Sequence, residues 1–406
     1  VATIVDSPEA QTLLGELTTM VGREDPYPRY DRLREISPIV RAADQALVVT
    51  RYADCAAVTR DPRFAHFPPD TLAFLGFPDW AEHPALRLLF TSMLALNPPD
   101  HTRLRRLVSG AFTARRVQAM RPAIERMVDD LLDDLAAESE ADFVDRFAFP
   151  LPVNVIGELL GVPPEDRAQF QPLVRDATQV LEVITPEVLA TADPAAAAIR
   201  DYLAGLVTRR RREPTTDLIS GLVTAEDAGD QLSEDELLTM AGLLFAAGFE
   251  TTTNLLANGV YALLTHPDQL KLLRERPDLS ASAVEELLRF DSPVQIVGRV
   301  VVEPVELSGV SLEPGERVVA YTGAGNRDPQ RFADPNELRL DRTDNAPLSF
   351  GGGIHYCLGA PLARLEAQIA LPALLRRFPN MALAGAPQRR DSLSIKGFTR
   401  LPVALS

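Results

Sequence analysis

The sequence predicts a mainly α-helical protein with a small β region, folded as one domain over residues 1–406. Three observations carry that expectation. Met120, Ile124, Met127, Val128, Leu131, Leu132 and Leu135 recur at helical spacing, with Asp and Glu on the opposite face. The stretch from Glu234 to about Leu264 is longer than an ordinary globular helix. It is apolar all round through Leu243-Leu244-Phe245-Ala246-Ala247, the pattern of a helix at the centre of a large fold. Strand-like runs are short, and neither an internal repeat nor a linker long enough to separate domains interrupts the chain.

In chain order, residues 1–23 read as an N-terminal extension, followed by a short helix from Tyr27 to Ile36. Ala46-Leu47-Val48-Val49-Thr50 is a good strand within a strand-rich part near 36–50, and Tyr52 to Thr59 returns to helix. The helix-rich core spans mainly 101–290, with helices expected at Val117 to Ala137, Phe143 to Leu160 and Ala195 to Arg212. Much of Phe170 to Pro194 reads as a lid. Ser233, with Glu236 three residues on, has the pattern of a capping box opening the long central helix. Glu285 to Phe290 is helical. A strand-rich part over 294–320 contains a Glu313-Pro314-Gly315-Glu316 turn. A last helix, 360–378, precedes a strand-rich tail over 380–404.

Hydrophobic residues make up 46% and charged residues 24%, a soluble balance. The formal net charge of −16 argues against a nucleic-acid binder. Apolar runs are broken by charges or prolines well short of the roughly 20 residues a membrane span needs. The N-terminus lacks a basic region followed by an apolar stretch, so it does not read as a signal peptide. The two cysteines, Cys55 and Cys357, fit a reducing cytoplasm and have no zinc-ligand spacing. Cys55 lies in an apolar helical stretch and reads as core. The expected protein is cytoplasmic and monomeric, with a small-molecule substrate and no membrane partner.

Cys357 stands in Phe350-Gly351-Gly352-Gly353-Ile354-His355-Tyr356-Cys357-Leu358-Gly359. The glycines permit dihedrals and close approaches that side chains block. The following helix points its N–H groups and dipole at the sulfur, an arrangement that favours thiolate. A thiolate so presented can serve as a ligand to an iron. The pattern Phe-x-x-Gly-x-His-x-Cys-x-Gly resembles the haem-binding loop of the cytochrome P450 family, and the layout resembles that fold from about residue 24 to 404.

The resemblance implies haem b (iron protoporphyrin IX) held by Cys357, with Phe350 and Gly351 shaping the loop. His101, Arg105, Arg299 and His355 are implied as anchors of the haem carboxylates. Ala247-Gly248-Phe249-Glu250-Thr251-Thr252 matches the family's acid–alcohol pair, with Thr251 hydrogen-bonding the activated oxygen and Glu250 connecting it to bulk protons. Thr251 and Thr252 hydroxyls compete for helix carbonyls, which suggests a local widening of the helix. Glu286 and Arg289, on one helix face, are implied to meet Arg342 and brace the core behind the haem. The distal pocket is expected to be walled by Phe74, Phe90, Leu94, Leu243, Leu244, Ala247, Val294, Ile296, Val297 and Ile395. Gln295 would be its orienting amide. Leu75 and Trp80 lie in the same wall segment.

The chain carries no dinucleotide glycine fingerprint and no iron–sulfur cysteine cluster. Electrons are therefore expected from a ferredoxin and a ferredoxin reductase, with NAD(P)H involved only indirectly. Arg103, Arg106, Arg115, Arg116 and Arg364 suggest a positive face for an acidic partner. The implied activity is a monooxygenase that hydroxylates or epoxidises a bulky, mostly apolar natural product. The segments Phe74–Pro78 to His101–Arg103 and Ala247–Glu250 resemble bacterial hydroxylases of macrolide and related polyketide precursors. Other readings stay open: a terpene, steroid or fatty-acid substrate, a peroxide-using or oxidative-coupling P450, or a haem-containing recognition partner for a carrier-bound substrate.

Overall fold

Ser233 sets the start of the helix that organises the molecule. Its side chain accepts from the Glu236 N–H while the Glu236 carboxylate accepts from the Ser233 N–H, so both sides of the capping box are made. The helix runs Glu234–Thr265 and is buried on nearly every side, as its all-round apolar sequence predicts. The computed structural model describes residues 4–74, 76–181, 183–227 and 229–405. The side chains of Phe74, Ala168, Gln171, Glu226 and Asp227 are outside the described set. The expected pocket roles of Phe74 and Leu75 thus fall outside the described residues.

The main elements are α1 (Pro8–Leu17), α2 (Tyr27–Ile36), β1 (Ile39–Arg41), β2 (Leu47–Val49), α3 (Tyr52–Arg60), β3 (Phe64–Ala65) and α4 (Pro84–Phe90). The helical body follows with α5 (Asp100–Ala111), α6 (Ala114–Ala119), α7 (Arg121–Leu135), α8 (Pro150–Leu160), α9 (Pro164–Ala177), α10 (Pro186–Arg212), the central helix α11 (Glu234–Thr265) and α12 (Ser280–Phe290). Then come β4 (Val297–Val301), β5 (Arg317–Ala320) and α13 (Ala360–Arg377). One large apolar cluster joins α7, α8, α10, α11, α12 and α13.

The principal sheet has the order β1-β2-β5-β4-β3. Its register matters for the site. Val318 of β5 faces Arg299 of β4, and Ala65 at the end of β3 faces Val300. Arg299 and the residue after β3 therefore arrive at one edge of the sheet.

Several boundaries differ from the sequence expectations. The helix expected over Val117–Ala137 is two helices, α6 and α7, with Met120 between them and Pro122 in the first turn of the second. Proline has no N–H to donate, and a helix start is where that is tolerated. The helix expected from Phe143 opens as a π turn over Val144–Ala148 before α8. The central helix stays α-helical past Thr251 and Thr252, so the local widening expected there does not occur. The stretch read as a lid is helical through α9, a 3-10 turn at Thr178–Leu181 and the start of α10, which begins at Pro186 rather than Ala195. The stretch read as an N-terminal extension is packed: α1 buries Ala10, Leu14 and Leu17 in a cluster with Tyr30 and Leu33, and Val5 bridges Val40.

Candidate active site

Cys357 lies in the wall of a cavity between the glycine loop and the central helix. The cavity has a volume of about 270 Å³. The Cys357 N–H donates to the Phe350 carbonyl at 3.0 Å, closing the loop that α13 follows. Gly351 and Gly353 adopt φ of 68° and 60°. At Gly353 a Cβ would also stand 3.0 Å from backbone atoms of Thr59 and Arg60, so the end of α3 fixes this turn as glycine. Burial pushes the Cys357 thiol above its ordinary value, although the Gly359 N–H, the Arg105 guanidinium and the Ala360 N–H pull it down. The helix-start effect expected from sequence is present, and desolvation outweighs it. A coordinated iron cation would supply the positive charge that keeps such a sulfur a thiolate.

The cavity edge gathers desolvated donors. His101 from α5 packs its ring 4.0 Å from that of His355, and His66, just after β3, lies 4.3 Å from His355 on another side. Both ring nitrogens of His101 and Nε2 of His66 are buried and have no hydrogen-bond partner among the described residues. Burial, then the Arg299 charge, pushes His66 down to about 2. Burial, then His101, pushes His355 down to about 3. Burial lowers Arg299 to about 10, and its Nη1 donates to the Gly298 carbonyl. Arg105 donates from Nη2 to the Tyr356 carbonyl at 2.7 Å and lines the cavity. Buried polar groups are ordinarily satisfied, so a convergent set of unpaired donors fits an anionic ligand. The two carboxylates of haem b would meet that requirement, with Cys357 as the residue that would hold the iron.

The opposite wall is the central helix, with Leu243, Leu244, Ala247, Gly248, Thr251 and Thr252 on the cavity. Thr251 Oγ1 donates to the Ala247 carbonyl at 3.2 Å and Thr252 Oγ1 to the Gly248 carbonyl at 3.0 Å. Glu250 is buried on another face of the helix, where its Oε1 meets Arg390 Nη1 at 2.5 Å and Asn254 Nδ2 at 3.4 Å. Sequence reading did not find Arg390, which is 140 residues away from Glu250 and in no motif.

Behind the loop, Glu286 accepts both Nε and Nη2 of Arg289 at 2.8 Å. It also accepts Arg342 Nε at 3.1 Å, the Arg339 N–H at 2.9 Å and Asn345 Nδ2 at 3.0 Å. Arg289 Nη1 reaches the Asn326 carbonyl. The Asn326 side chain in turn holds the Leu348 N–H at 2.7 Å and Ser349 Oγ at 3.0 Å, next to Phe350.

A cytochrome P450 family profile matches residues 80–402 of this sequence. The chain belongs to the cytochrome P450 family. It is 42% identical over 396 residues to 6-deoxyerythronolide B hydroxylase of Saccharopolyspora erythraea, covering 94% of this chain and 96% of that protein. It is also 42% identical to vitamin D(3) 25-hydroxylase of Pseudonocardia autotrophica, over 94% of both chains. Among solved structures, P450BioI in complex with hexadec-9Z-enoic acid ligated acyl carrier protein superposes with a TM-score of 0.88 at 38% identity, covering 95% of this chain and 100% of that one. As a P450 the chain is a haem b monooxygenase that draws electrons from redox partners, and its relatives include bacterial enzymes that tailor macrolides and polyketides. None of its described helices is long and apolar enough to cross a membrane.

The pocket of this P450 differs from the sequence expectation. Leu94, Leu243, Leu244, Ala247 and Val294 line the cavity. Gln295 does not: it is turned into the protein, where Tyr30 Oη donates to its Oε1 at 3.2 Å and its Nε2 donates to the Ser292 carbonyl at 2.6 Å. Adjacent residues of extended backbone point to opposite sides, so Val294 on the cavity places Gln295 off it. Ile296 packs with the cluster of Tyr30 and Tyr321, and Val297 opens β4 opposite Ala320. Ile395 sits behind Val294, joined to it by an isolated β-bridge, and Phe90 packs edge-on to Trp80. Met93, Phe112, Ile156 and Leu362 line the cavity instead, and no local pattern marks them. The expected positive face is reduced: Arg103 is paired with Asp230 and Glu236, and Arg364 holds Glu285 at 2.5 and 3.0 Å.

Proposed function

We propose that this P450 hydroxylates or epoxidises a bulky, mostly apolar polyketide, with a macrolide intermediate as the favoured substrate, using electrons from a ferredoxin and its reductase. The observation that carries the reading is the apolar cavity with Cys357 on one side and Thr251 on the other. Bound at Cys357, haem supplies dioxygen activation, in which two electrons and two protons place one oxygen atom in the substrate and release the other as water.

The chain's own residues do the rest. Leu243, Leu244, Leu94 and Val294 exclude water and orient an apolar face of the substrate toward the Cys357 side. The Thr251 hydroxyl both donates and accepts, so it can leave the Ala247 carbonyl and hold a proton at the cavity surface. Glu250, held by Arg390 and Asn254, is the carboxylate nearest in sequence and links that surface to solvent protons. The Arg289–Glu286–Arg342 cluster holds the loop through Asn326 and takes no part in proton transfer.

The test is a spectral titration of the purified ferric protein with macrolides, linear polyketides, steroids, fatty acids and an acyl chain on a carrier protein. We expect the low-spin to high-spin shift at lowest concentration with the polyketides. Tight spin shifts with steroids or fatty acids, and none with polyketides, would overturn the substrate class. A response only to the carrier-bound acyl chain would move the reading to a tethered substrate.

A further inference from the structure

We propose that His66 is a further cofactor-binding residue, donating a hydrogen bond from Nε2 to a carboxylate of haem b. His66 is in no motif. It follows β3 and reaches the site only because β3 pairs with β4, which carries Arg299. Its ring packs 4.3 Å from His355, and Nε2 is buried with no partner among the described residues.

The position is built. Asn97 Oδ1 accepts the His66 N–H at 2.8 Å and Asn97 Nδ2 donates to the His66 carbonyl at 2.9 Å. The Asn97 carbonyl also accepts the His101 N–H at 3.0 Å, so one residue sets both histidine backbones. The neighbouring charges are cationic: Arg299 bears on His66 and His355, and Arg105 on His101 and His355. A core histidine ordinarily finds a carboxylate or carbonyl for each ring nitrogen. Here the described side chains offer His66 Nε2 no acceptor and the neighbouring charges favour an anion, of which haem b brings two. The described residues hold no group of three or more His, Cys, Asp or Glu side chains placed for a metal ion, which leaves an acceptor rather than a cation as the ligand.

This inference rests on haem b as the cofactor, and the test separates the two. Haem-loaded wild type and the His66→Phe and His66→Gln variants are mixed with excess apomyoglobin, and haem transfer is followed by absorbance. Phenylalanine keeps a ring against His355 and removes both nitrogens; glutamine keeps a donor. We expect His66→Phe to lose haem roughly tenfold faster, the scale of one hydrogen bond to a charged group, and His66→Gln to fall between it and wild type. The proteins are then reloaded with iron protoporphyrin dimethyl ester, which lacks carboxylates, and the difference should vanish. If His66→Phe folds poorly, as judged by melting of the cofactor-free protein, His66→Leu carries the same comparison. Equal haem loss in wild type and variant, or a difference that persists with the dimethyl ester, overturns the proposal. A wild type whose reduced, carbon monoxide-bound form lacks the thiolate-type Soret band would instead sink the cofactor assignment.

Discussion

Replacing Glu286 with glutamine tests whether the cluster behind the cysteine loop holds that loop in place. Glu286 and Arg289 are both fully buried, and Glu286 accepts from two arginines, a backbone N–H and Asn345. Glutamine is nearly the same size, so no cavity opens. Its amide nitrogen is a donor, however, and it would face donors, while two buried guanidinium groups lose their counter-charge. Breaking a buried pair from one side typically costs about 3–5 kcal/mol. For 406 residues the entropy of unfolding is about 0.85 kcal/mol/K, so melting should fall by about 4–6 °C. The damage should also reach the cofactor, because Arg289 holds the Asn326 carbonyl and Asn326 holds Leu348 and Ser349. We therefore expect lower haem content and partial conversion of the reduced carbon monoxide complex to a non-thiolate band. The assay pairs calorimetry of cofactor-free and loaded protein with the carbon monoxide difference spectrum. A melting shift under 1 °C with unchanged haem content would refute the bracing argument.

Other perturbations read other parts of the site. Cys357→Ala should abolish the red-shifted Soret band of the reduced carbon monoxide complex, and its survival would remove Cys357 as ligand. Thr251→Ala should keep haem and substrate binding while diverting reducing equivalents to peroxide; equal product per electron in the two proteins would count against Thr251. Gly397→Ala places a Cβ where the Asn254 amide stands. It should cost about 1–3 kcal/mol of stability and lower coupling by disturbing the Asn254–Glu250 contact, an effect read by denaturant titration beside peroxide yield. Burial alone would raise the Asp291 carboxyl, but Lys396 at 2.6 Å and Arg389 outweigh it and hold the carboxyl at about 2, below its ordinary 3.8. That stabilisation, about 2 kcal/mol, is fully present above roughly pH 4 and is lost as pH falls through 2. Asp291→Asn should flatten this acid limb of the stability–pH curve, and parallel curves would deny Asp291 the role.

What the sequence made legible was what chemistry packs into contiguous residues. The cysteine loop lies within ten residues, the acid–alcohol pair is adjacent, and the capping box at Ser233 spans four. The central helix was readable because apolarity all round leaves it one place, the interior. The residues that were missed or misplaced depend on tertiary register. His66 joins the site through strand pairing, and Arg390 meets Glu250 through the path of the tail. Gln295 was placed in the pocket by counting along a segment whose side chains alternate, and one residue of phase puts it on Tyr30 instead. Helix ends slipped at prolines: the helix expected over Val117–Ala137 ran through Pro122, which opens α7, and the helix expected from Ala195 opens earlier, at Pro186, with Pro194 inside it.

The net charge of −16 argues against nucleic acid as a partner but misleads about the interior. A protein this acidic should repel a dianionic cofactor, yet salt screens exposed charges beyond roughly 8–10 Å at physiological ionic strength. Around the cavity the desolvated groups include Arg299, Arg105 and the imidazoles of His66, His101 and His355; burial pushes the cavity-lining Glu366 carboxyl up toward its neutral acid, and the pair Glu250–Arg390 is neutral as a unit. Low local polarisability makes these few donors outweigh the distant surface carboxylates. The same desolvation favours the neutral imidazoles, so they present N–H dipoles and repel each other little. An arriving carboxylate reverses the balance and favours their protonated forms. Acidic surface and anion-accepting interior are therefore compatible, and the sign of a buried site has to be read from its own neighbours.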